Sequence, residues 1–313
     1  MERRPLGNSG LQITPIVLGT WPMSGIKWAG INDRDCVATI QRAIDLGVNM
    51  IDTAYMYGKH GEAETRVGMA IKGRRDRVLI ATKGGLEFIG DSDERRIDCS
   101  RKRLMEHIDE SLRRMGIDHI DLYQVHMFDD ATPIEETARA MSDLLEQGKI
   151  RAIGLSNWSV EQMAAFAKIA PLHCVQPIYN MLNRDAESAE LPFCRDRAIA
   201  AIVYRSLERG LLTDKIKPAS AFPEDDSRRT KPDWQGEEFD RTLAMVRKLQ
   251  AIALRLGKTT AQLVLNWTIH QPGVTAAICG AKRPDQVDEN ITAADWKLSD
   301  DDMARVTEIV RAR

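Results

Sequence analysis

The chain has 313 residues, of which 43% are hydrophobic, and its 44 Lys and Arg residues nearly balance its 46 Asp and Glu residues. The formal net charge of −2 comes from interspersed charges with no basic face or tail, which argues against nucleic acid or an anionic membrane as the main partner. The length is compatible with one large core, because α/β barrels commonly exceed about 250 residues as a single domain.

The cysteines and the N-terminus bear on the compartment. The five cysteines are far apart and form no CxxC pair, a pattern typical of free thiols in a reducing compartment. They are Cys36, Cys99, Cys174, Cys194 and Cys279. Residues 1–5 are followed by no apolar core, so no signal peptide is expected, and the apolar run at 198–203 is far too short to span a membrane. We expect a soluble cytoplasmic protein, and composition leaves its oligomeric state open.

Short apolar runs alternate with segments of helical period along most of the chain. The eight strand-like runs are residues 16–19, 50–51, 78–81, 120–125, 150–155, 174–178, 199–204 and 275–279. Helices are predicted at 33–46, 62–72, 100–115 and 159–169, and from Thr132 to near Gly148 with Pro133 at the first helical position. This alternation implies parallel strands joined by crossover helices. Eight repeats favour the α/β class as a closed (β/α)₈ TIM barrel over an open doubly wound sheet.

Three segments fall outside the alternation. Residues 3–13 have Gly and Asn at their centre and predict an N-terminal β-hairpin that caps the bottom of the barrel. Residues 214–236 are rich in Pro, Asp, Ser and Arg and are long enough for a functional loop. Residues 299–311 predict an extra C-terminal helix. No linker is evident, so we expect one domain over residues 1–313.

Four chemically active side chains follow three of these strand-like runs. Asp52 directly follows the run ending at Ile51, and Tyr57 lies five positions further on. Lys83 and His126 close the next two runs. Because the C-terminal ends of successive strands in a parallel barrel converge on one pocket, these side chains can form a proton-transfer site. Each alone is more often structural; together they favour an enzyme.

Several motifs point to a family. Residues 47–58 are similar to the pattern G-x-x-x-x-D-T-A-x-x-Y-G, and residues 141–157, 207–212 and 278–284 resemble later motifs of the same family in the same order. The chain resembles an aldo-keto reductase over essentially its whole length. The resemblance implies an NADP(H)-dependent oxidoreductase that reduces an aldehyde or ketone to an alcohol, or the reverse, without metal. It also implies the catalytic tetrad Asp52, Tyr57, Lys83 and His126.

The tetrad has a physical rationale. A tyrosine with a pKa near 10 is a slow proton donor at neutral pH, and a neighbouring cation lowers that pKa. Lys83 is expected to be this cation, and Asp52 to hold its ammonium in place. His126 is expected to donate a hydrogen bond to the substrate oxygen as negative charge develops there.

The cofactor site is expected from the resemblance, because no G-x-G-x-x-G follows the first strand. Ser156, Asn157 and Gln176 match positions that bind the carboxamide of an extended nicotinamide cofactor, and Tyr204 matches the aromatic that stacks on its ring. Further expected cofactor residues are Gly19, Thr20, Trp21, Asp52, Arg205, Ser206, Leu207, Gly210 and Gly280. Arg205, where many relatives have Ser, either contacts the pyrophosphate or redirects the loop. Gln176 and Tyr204 are alternatively core residues.

The adenine end is expected at the helix that Pro284 opens. Lys282 and Arg283 precede a helix N-terminus, which attracts anions, and two cations there suit a 2′-phosphate, so NADP is predicted over NAD. The alternative is a solvated loop pair. Glu289 and Asn290 on this helix match adenine contacts, and Gln286 is a further expected cofactor residue one turn earlier on the same face.

The substrate pocket is expected to be partly hydrophobic. Its predicted residues are Trp21, Trp28, Tyr57, His126, Met127 and Phe128, although Trp28 is alternatively a loop anchor. A metal-dependent hydrolase is disfavoured, because none of the six histidines forms an HxH or HxxxH pair. The remaining alternative is a non-catalytic partner, as in the potassium-channel β subunits that resemble this family; the complete tetrad argues against it. Substrate identity and reaction direction are not readable from the sequence.

Overall fold

The structure is a computed structural model that describes residues 1–26, 30–216, 218–222, 224 and 226–313. The strands of this described part are β1 (Arg4–Pro5), β2 (Gln12–Ile13), β3 (Ile16–Gly19), β4 (Met50–Asp52), β5 (Leu79–Gly84), β6 (Leu86–Phe88), β7 (Arg95–Ile97), β8 (Leu122–Val125), β9 (Ile153–Ser156), β10 (Cys174–Gln176), β11 (Ala200–Val203) and β12 (Ala276–Gly280). Strands β3, β4, β5 and β8 to β12 form a closed parallel barrel. The pairing of β12 with β3, which sets Gly280 beside Gly19, closes it. The predicted TIM barrel is confirmed.

Helices surround the barrel. In the described residues they are α1 (Asp33–Asp45), α2 (Glu62–Ile71), α3 (Arg101–Met115), α4 (Ile134–Glu146), α5 (Val160–Phe166), α6 (Glu190–Asp196), α7 (Gly236–Arg255), α8 (Thr260–Ile269), α9 (Pro284–Ile291) and α10 (Asp300–Arg311). Ser100 and Ser159 are N-caps whose hydroxyls accept backbone N–H groups, because the first turn of a helix leaves such donors unpaired. Pro133 precedes α4 with an extended ψ of 135°, so the prediction of Pro133 at the first helical position is wrong by one residue.

The N-terminal hairpin closes one end of the barrel, as predicted. Strands β1 and β2 pair antiparallel. Leu6, Leu11 and Ile13 are buried with side chains from the barrel strands in one apolar cluster. The Asn49 amide ties this end together, because it donates to Gln12 O at 2.7 Å and accepts from Thr14 N at 2.8 Å.

The opposite end of the barrel carries the loops. Strands β6 and β7 form a second hairpin directly after β5, which the apolar runs did not indicate. In segment 214–236 the described residues form short 3₁₀ turns at Ala219–Ala221, Ser227–Thr230 and Pro232–Trp234. Trp28, a predicted pocket residue, lies outside the described residues. No helix of the described part combines the length and apolar character needed to cross a bilayer.

Candidate active site

Three barrel strands and one loop bring the predicted tetrad together. Asp52 ends β4, Lys83 lies in β5 one residue from its end, and His126 directly follows β8. Register places Lys83 beside Gln124 of β8. Tyr57 lies between β4 and α2, in a turn where its N–H donates to Ala54 O at 3.0 Å.

The Lys83 ammonium is the centre of this site. Its Nζ donates to Asp52 Oδ1 at 2.7 Å, to Thr53 O at 2.8 Å and to the Tyr57 hydroxyl at 3.3 Å. The lysine is fully buried and Asp52 is 2% exposed. A buried charge is tolerated when a counter-ion and hydrogen bonds replace water, and Lys83 has both.

Burial and charge compete in setting the pKa values of the pair. Burial alone would lower the pKa of the Lys83 ammonium, but the charges of Asp52 and Tyr57 outweigh it and raise that pKa above its ordinary value. For Tyr57, burial raises the pKa more than Lys83 lowers it, so the pKa lies above 10.0. Lys83 therefore lowers the pKa of Tyr57, as expected, but burial outweighs that effect in this structure. At neutral pH the phenol keeps its proton beside a charged lysine.

His126 completes the group as a neutral imidazole. Its ring centroid lies 5.9 Å from that of Tyr57, in an edge-to-face arrangement. Burial, with the charge of Lys83, holds the pKa of His126 well below its usual range. Its Nδ1 is buried and has no hydrogen-bond partner in the described residues.

The residues predicted to hold the nicotinamide end form a hydrogen-bonded group beside the tetrad. Gln176 Nε2 donates to Asp52 Oδ2 at 2.9 Å, so the carboxylate is held on both oxygens. The Tyr204 hydroxyl donates to Asn157 Oδ1 at 2.7 Å, and Asn157 Nδ2 donates to Ser156 Oγ at 3.0 Å. Asn157 has a φ of +62°, a strained backbone conformation that is common at functional sites.

The rim formed by β3 and β12 is tightly packed. A Cβ on Gly19 would lie 2.6 Å from Ile278 Cγ2, and one on Gly280 would lie 2.8 Å from Pro22 Cγ. Thr20 donates from its N–H and its hydroxyl to Asp52 O, which joins this rim to the tetrad. The ring of Trp21 lies edge-on to Tyr57, with centroids 5.0 Å apart.

The loop after β11 is held by a buried carboxylate. Glu208 is 4% exposed, and its Oε1 accepts from Arg205 Nε at 2.9 Å while its Oε2 accepts from Asn180 Nδ2 at 2.8 Å. Arg205 has a φ of +62°. The Ser206 hydroxyl donates to Ile278 O at 3.1 Å, whereas Leu207 packs against the core. Gly210 follows with a φ of +96°.

Positively charged side chains lie at the N-terminus of α9, and one of them is in an ion pair. The Arg283 guanidinium is bidentate to Asp285, with both distances 3.0 Å. Burial, followed by the charges of Arg228 and Arg283, lowers the pKa of Lys282. Gln286 Oε1 accepts from Lys282 N at 2.9 Å and fixes the turn before the helix.

Further along α9, the two predicted adenine contacts differ in their surroundings. Glu289 pairs with Lys215 at 2.7 Å, which connects the helix to segment 214–236. Asn290 is 7% exposed. The predicted adenine residues therefore lie along one helix, with one of them already engaged in an ion pair.

The predicted apolar pocket residues differ in their roles. Met127 and Phe128 are half-buried after β8, as His126 is. The ring of Phe128 packs edge-to-face on Trp158, with centroids 4.9 Å apart, so it also belongs to the packing outside the barrel.

Comparisons with known proteins decide the family. A family model described as the Aldo/keto reductase family matches residues 15–311. This chain belongs to the aldo-keto reductase family.

Two curated proteins and one solved structure, all from bacteria, illustrate the similarity. The chain is 40% identical to the aldo-keto reductase YhdN of Bacillus subtilis (strain 168), over 99% of this chain and 94% of that protein. It is 34% identical to an NADH-specific methylglyoxal reductase of Escherichia coli (strain K12), over 100% and 99% of the two chains. It also resembles the solved glycerol dehydrogenase of Gluconobacter oxydans, with a TM-score of 0.91 and 36% identity over 99% and 95% of the chains.

Aldo-keto reductases are oxidoreductases of carbonyl compounds that use nicotinamide cofactors, and the barrel mouth of this member fits such a group. Besides His126 Nδ1, Gln124 Nε2 is buried without a partner in the described residues. Gln124 Oε1 accepts from Gln176 Nε2 at 3.3 Å, so these donors lie next to the polar group around Asp52. The amides and hydroxyls there suit a neutral carboxamide, and the cations near α9 suit phosphate.

Two contributors to this aldo-keto reductase site were missed from the sequence. Gln124 is a polar residue inside an otherwise apolar strand run, which was the available signal. Glu208 gave no such signal, because only the fold shows that its carboxylate is buried beneath Arg205.

Proposed function

We propose that this protein is a nicotinamide-dependent carbonyl reductase, or alcohol dehydrogenase in the reverse direction, with Tyr57 as the general acid and base. The observation that carries the proposal is the contact of the Tyr57 hydroxyl with a buried Lys83 ammonium at 3.3 Å, itself fixed at 2.7 Å from Asp52. A phenol beside a fixed cation can release and regain a proton more readily than one in an apolar pocket.

The bound nicotinamide supplies or accepts the hydride. In reduction, Tyr57 donates its proton to the carbonyl oxygen, and Lys83 stabilises the phenolate that remains. Asp52 holds the ammonium in position, and neutral His126 donates an N–H to the same carbonyl oxygen to stabilise its developing charge. In oxidation, the Tyr57 phenolate removes the proton of the alcohol.

We propose the cofactor orientation from the polar groups described above. Ser156, Asn157 and Gln176 would hold the carboxamide, and Tyr204 would lie against the nicotinamide ring. The rim residues Gly19, Thr20 and Trp21 border its ribose.

The residues that would hold the phosphates and the adenosine lie toward α9. Residues 205–207, with Gly210 and Gly280, border the pyrophosphate. Gln286, Glu289 and Asn290 border the adenine.

We further propose NADPH as the preferred cofactor. The support is the positive charge of Lys282 and Arg283 at the start of α9, where burial and then the charges of Arg228 and Arg283 lower the pKa of Lys282. Arg283 reaches this position already bound to Asp285, so a 2′-phosphate would compete with that carboxylate for it. The similarity to an NADH-specific reductase makes a direct comparison of both cofactors the first measurement.

The substrate proposal is a small carbonyl or its alcohol. The mouth combines Trp21 and Met127 with the polar tetrad, and relatives are named for methylglyoxal reduction and as a glycerol dehydrogenase. We would follow cofactor absorbance with methylglyoxal, a panel of larger aldehydes, sugars and ketosteroids, and glycerol in the reverse direction. Turnover of a small carbonyl is expected. Tight cofactor binding with no turnover of any compound would favour a non-catalytic partner instead.

A further inference from the structure

A buried polar cluster lies behind the loop that carries Tyr57. Its centre is Arg114 of α3, whose side chain is 9% exposed. Arg114 NH1 donates to Tyr55 O at 3.1 Å and to Glu64 Oε2 at 3.1 Å, and NH2 donates to Glu110 Oε1 at 2.9 Å. None of these residues lies among the groups assigned to the reaction.

Arg114 contacts the loop on both sides of Tyr57. Tyr55 comes two residues before it. Gly61 comes four residues after it, and a Cβ there would lie 2.4 Å from Arg114 Cζ, so the guanidinium fits directly against this glycine. Gly61 also requires a φ of +76°, which favours glycine at this turn. The guanidinium therefore fixes the two ends of one short loop.

The same cluster reaches the strand that carries Lys83. Glu64, fully buried in the first turn of α2, accepts from the Thr82 hydroxyl at 2.7 Å. Thr82 precedes Lys83 in β5, and Tyr55 N donates to Lys83 O at 3.0 Å. Loop and strand are thus joined at Lys83 itself and at Tyr55, two residues before Tyr57.

Tyr55 is held on both ring faces. The Arg114 guanidinium lies 4.2 Å from the ring centroid on one side, and His107 stacks at 3.7 Å with an interplanar angle of 9° on the other. The Tyr55 hydroxyl donates to Glu110 Oε2 at 2.8 Å. Such an arrangement leaves the ring, and the backbone it belongs to, little freedom.

We propose that Arg114 is a positioning residue that sets the distance between the Tyr57 hydroxyl and Lys83 Nζ, acting through Tyr55, Gly61 and Glu64. The inference rests on the proposed function, since it presupposes that Tyr57 transfers the proton. A stability role alone does not require a charge here, because buried ion pairs are often replaceable by apolar groups at no cost. What the Arg114 guanidinium adds is its contact with both ends of the Tyr57 loop, at Tyr55 and at Gly61.

The test compares Arg114→Met with Arg101→Met. Arg101 is on the same helix and pairs with Asp143 of α4, away from the loop. Arg114→Met is expected to lower kcat about 10- to 100-fold, as a misplaced catalytic group does. Its Kd for the cofactor should stay within about twofold, and its alkaline pH limb for alcohol oxidation should move to higher pH as Lys83 loses influence on Tyr57. Arg101→Met should match the wild type, and Arg114→Lys should recover part of kcat.

The outcomes separate this inference from the proposed function. If Arg114→Met lowers the melting temperature but keeps the wild-type kcat and pH profile, Arg114 is only a structural brace and the inference is wrong. If that variant does not fold, Arg114→Lys decides, because a lysine keeps the charge but cannot make the forked contacts to Tyr55 O, Glu64 and Glu110 together. It should shift the pH limb partway in the same direction, and an unchanged limb with an unchanged kcat overturns the inference. Failure of the proposed function would show as wild-type activity in Tyr57→Phe.

Discussion

At the scale of single residues, the opposing effects on Tyr57 determine the pH behaviour. Burial raises its pKa and Lys83 lowers it, with burial the stronger effect in this structure. The protonated phenol that reduction needs is thus present through neutral pH, and the phenolate that oxidation needs forms at alkaline pH. Alcohol oxidation should accordingly increase with pH well beyond neutrality while carbonyl reduction stays nearly flat there.

Removing the cation should strengthen this asymmetry. Lys83→Met eliminates the interaction that favours the phenolate, so the alkaline limb of oxidation moves to higher pH and the oxidation rate at pH 8 decreases more than the reduction rate. Rates in both directions between pH 6 and 10 measure this difference, with Lys59→Met as control, since Lys59 is a half-buried loop lysine paired with Asp93. If the alkaline limb of oxidation in Lys83→Met stayed at the wild-type pH, Lys83 would not act on the Tyr57 pKa.

The tetrad could be predicted from the sequence because its members sit at fixed places relative to apolar strand runs. Asp52 and Lys83 follow those runs so closely that the barrel alone brings them together. The net direction of the Tyr57 pKa could not be predicted, because it depends on how far each group is removed from water. The partners of Arg114 were equally unreadable, since Glu64 and Tyr55 come from elements far away in sequence.

At the scale of elements, the N-terminus of α9 carries the cofactor preference. Charge-assisted hydrogen bonds to phosphate are each worth roughly 1.5–3 kcal/mol. Lys282→Ala combined with Arg283→Ala should weaken NADPH binding by well over about tenfold and barely change NADH binding, which lacks the 2′-phosphate. Titration calorimetry with both cofactors measures the difference.

Two further variants sharpen this comparison. Asp285→Asn should improve NADPH binding, because it removes the carboxylate that holds Arg283. Arg42→Ala is the control, since Arg42 pairs with Asp288 of the same helix through an exposed contact. Equal weakening of NADPH and NADH in the double variant, or a wild-type preference for NADH, would contradict the NADPH proposal.

Elements with regular patterns were predictable and irregular ones were not. The apolar runs identified all eight barrel strands because each is buried, and Ser100 and Ser159 marked helix starts by their hydroxyls. The β6–β7 hairpin was missed because its strands are short and largely exposed, with no alternating apolar pattern.

At the scale of the whole molecule, buried histidines couple stability to pH. Burial lowers the pKa of His107 to about 4, and it also lowers the pKa of His173 and His270 from 6.5. Between pH 4 and 6.5 the unfolded chain therefore binds more protons than the folded protein at His107. The contribution of neutral His107 to the free energy of unfolding should be complete above pH 6.5. It should decrease by roughly 3 kcal/mol as the pH falls toward 4.

Urea unfolding at several pH values checks this expectation. His107→Gln should flatten the dependence, because its amide oxygen can still accept from Gly85 N–H without taking up a proton. His60→Gln, at an exposed position, should leave the slope unchanged. Glu64 has the opposite effect on stability, because burial raises its pKa above 4.5. Its contribution to the free energy of unfolding is therefore lost as the pH rises. A slope in His107→Gln equal to that of the wild type would assign the effect to other groups.

The most direct test of the whole account is Tyr57→Phe. This variant removes the proposed proton donor while the ring remains available to pack edge-on against Trp21. Cofactor Kd by fluorescence titration and single-turnover reduction of the best small carbonyl should be measured together. The account predicts a Kd within about twofold of the wild type and a reduction rate lower by roughly 10²–10⁴-fold. A variant that binds cofactor and reduces the carbonyl at the wild-type rate would contradict it.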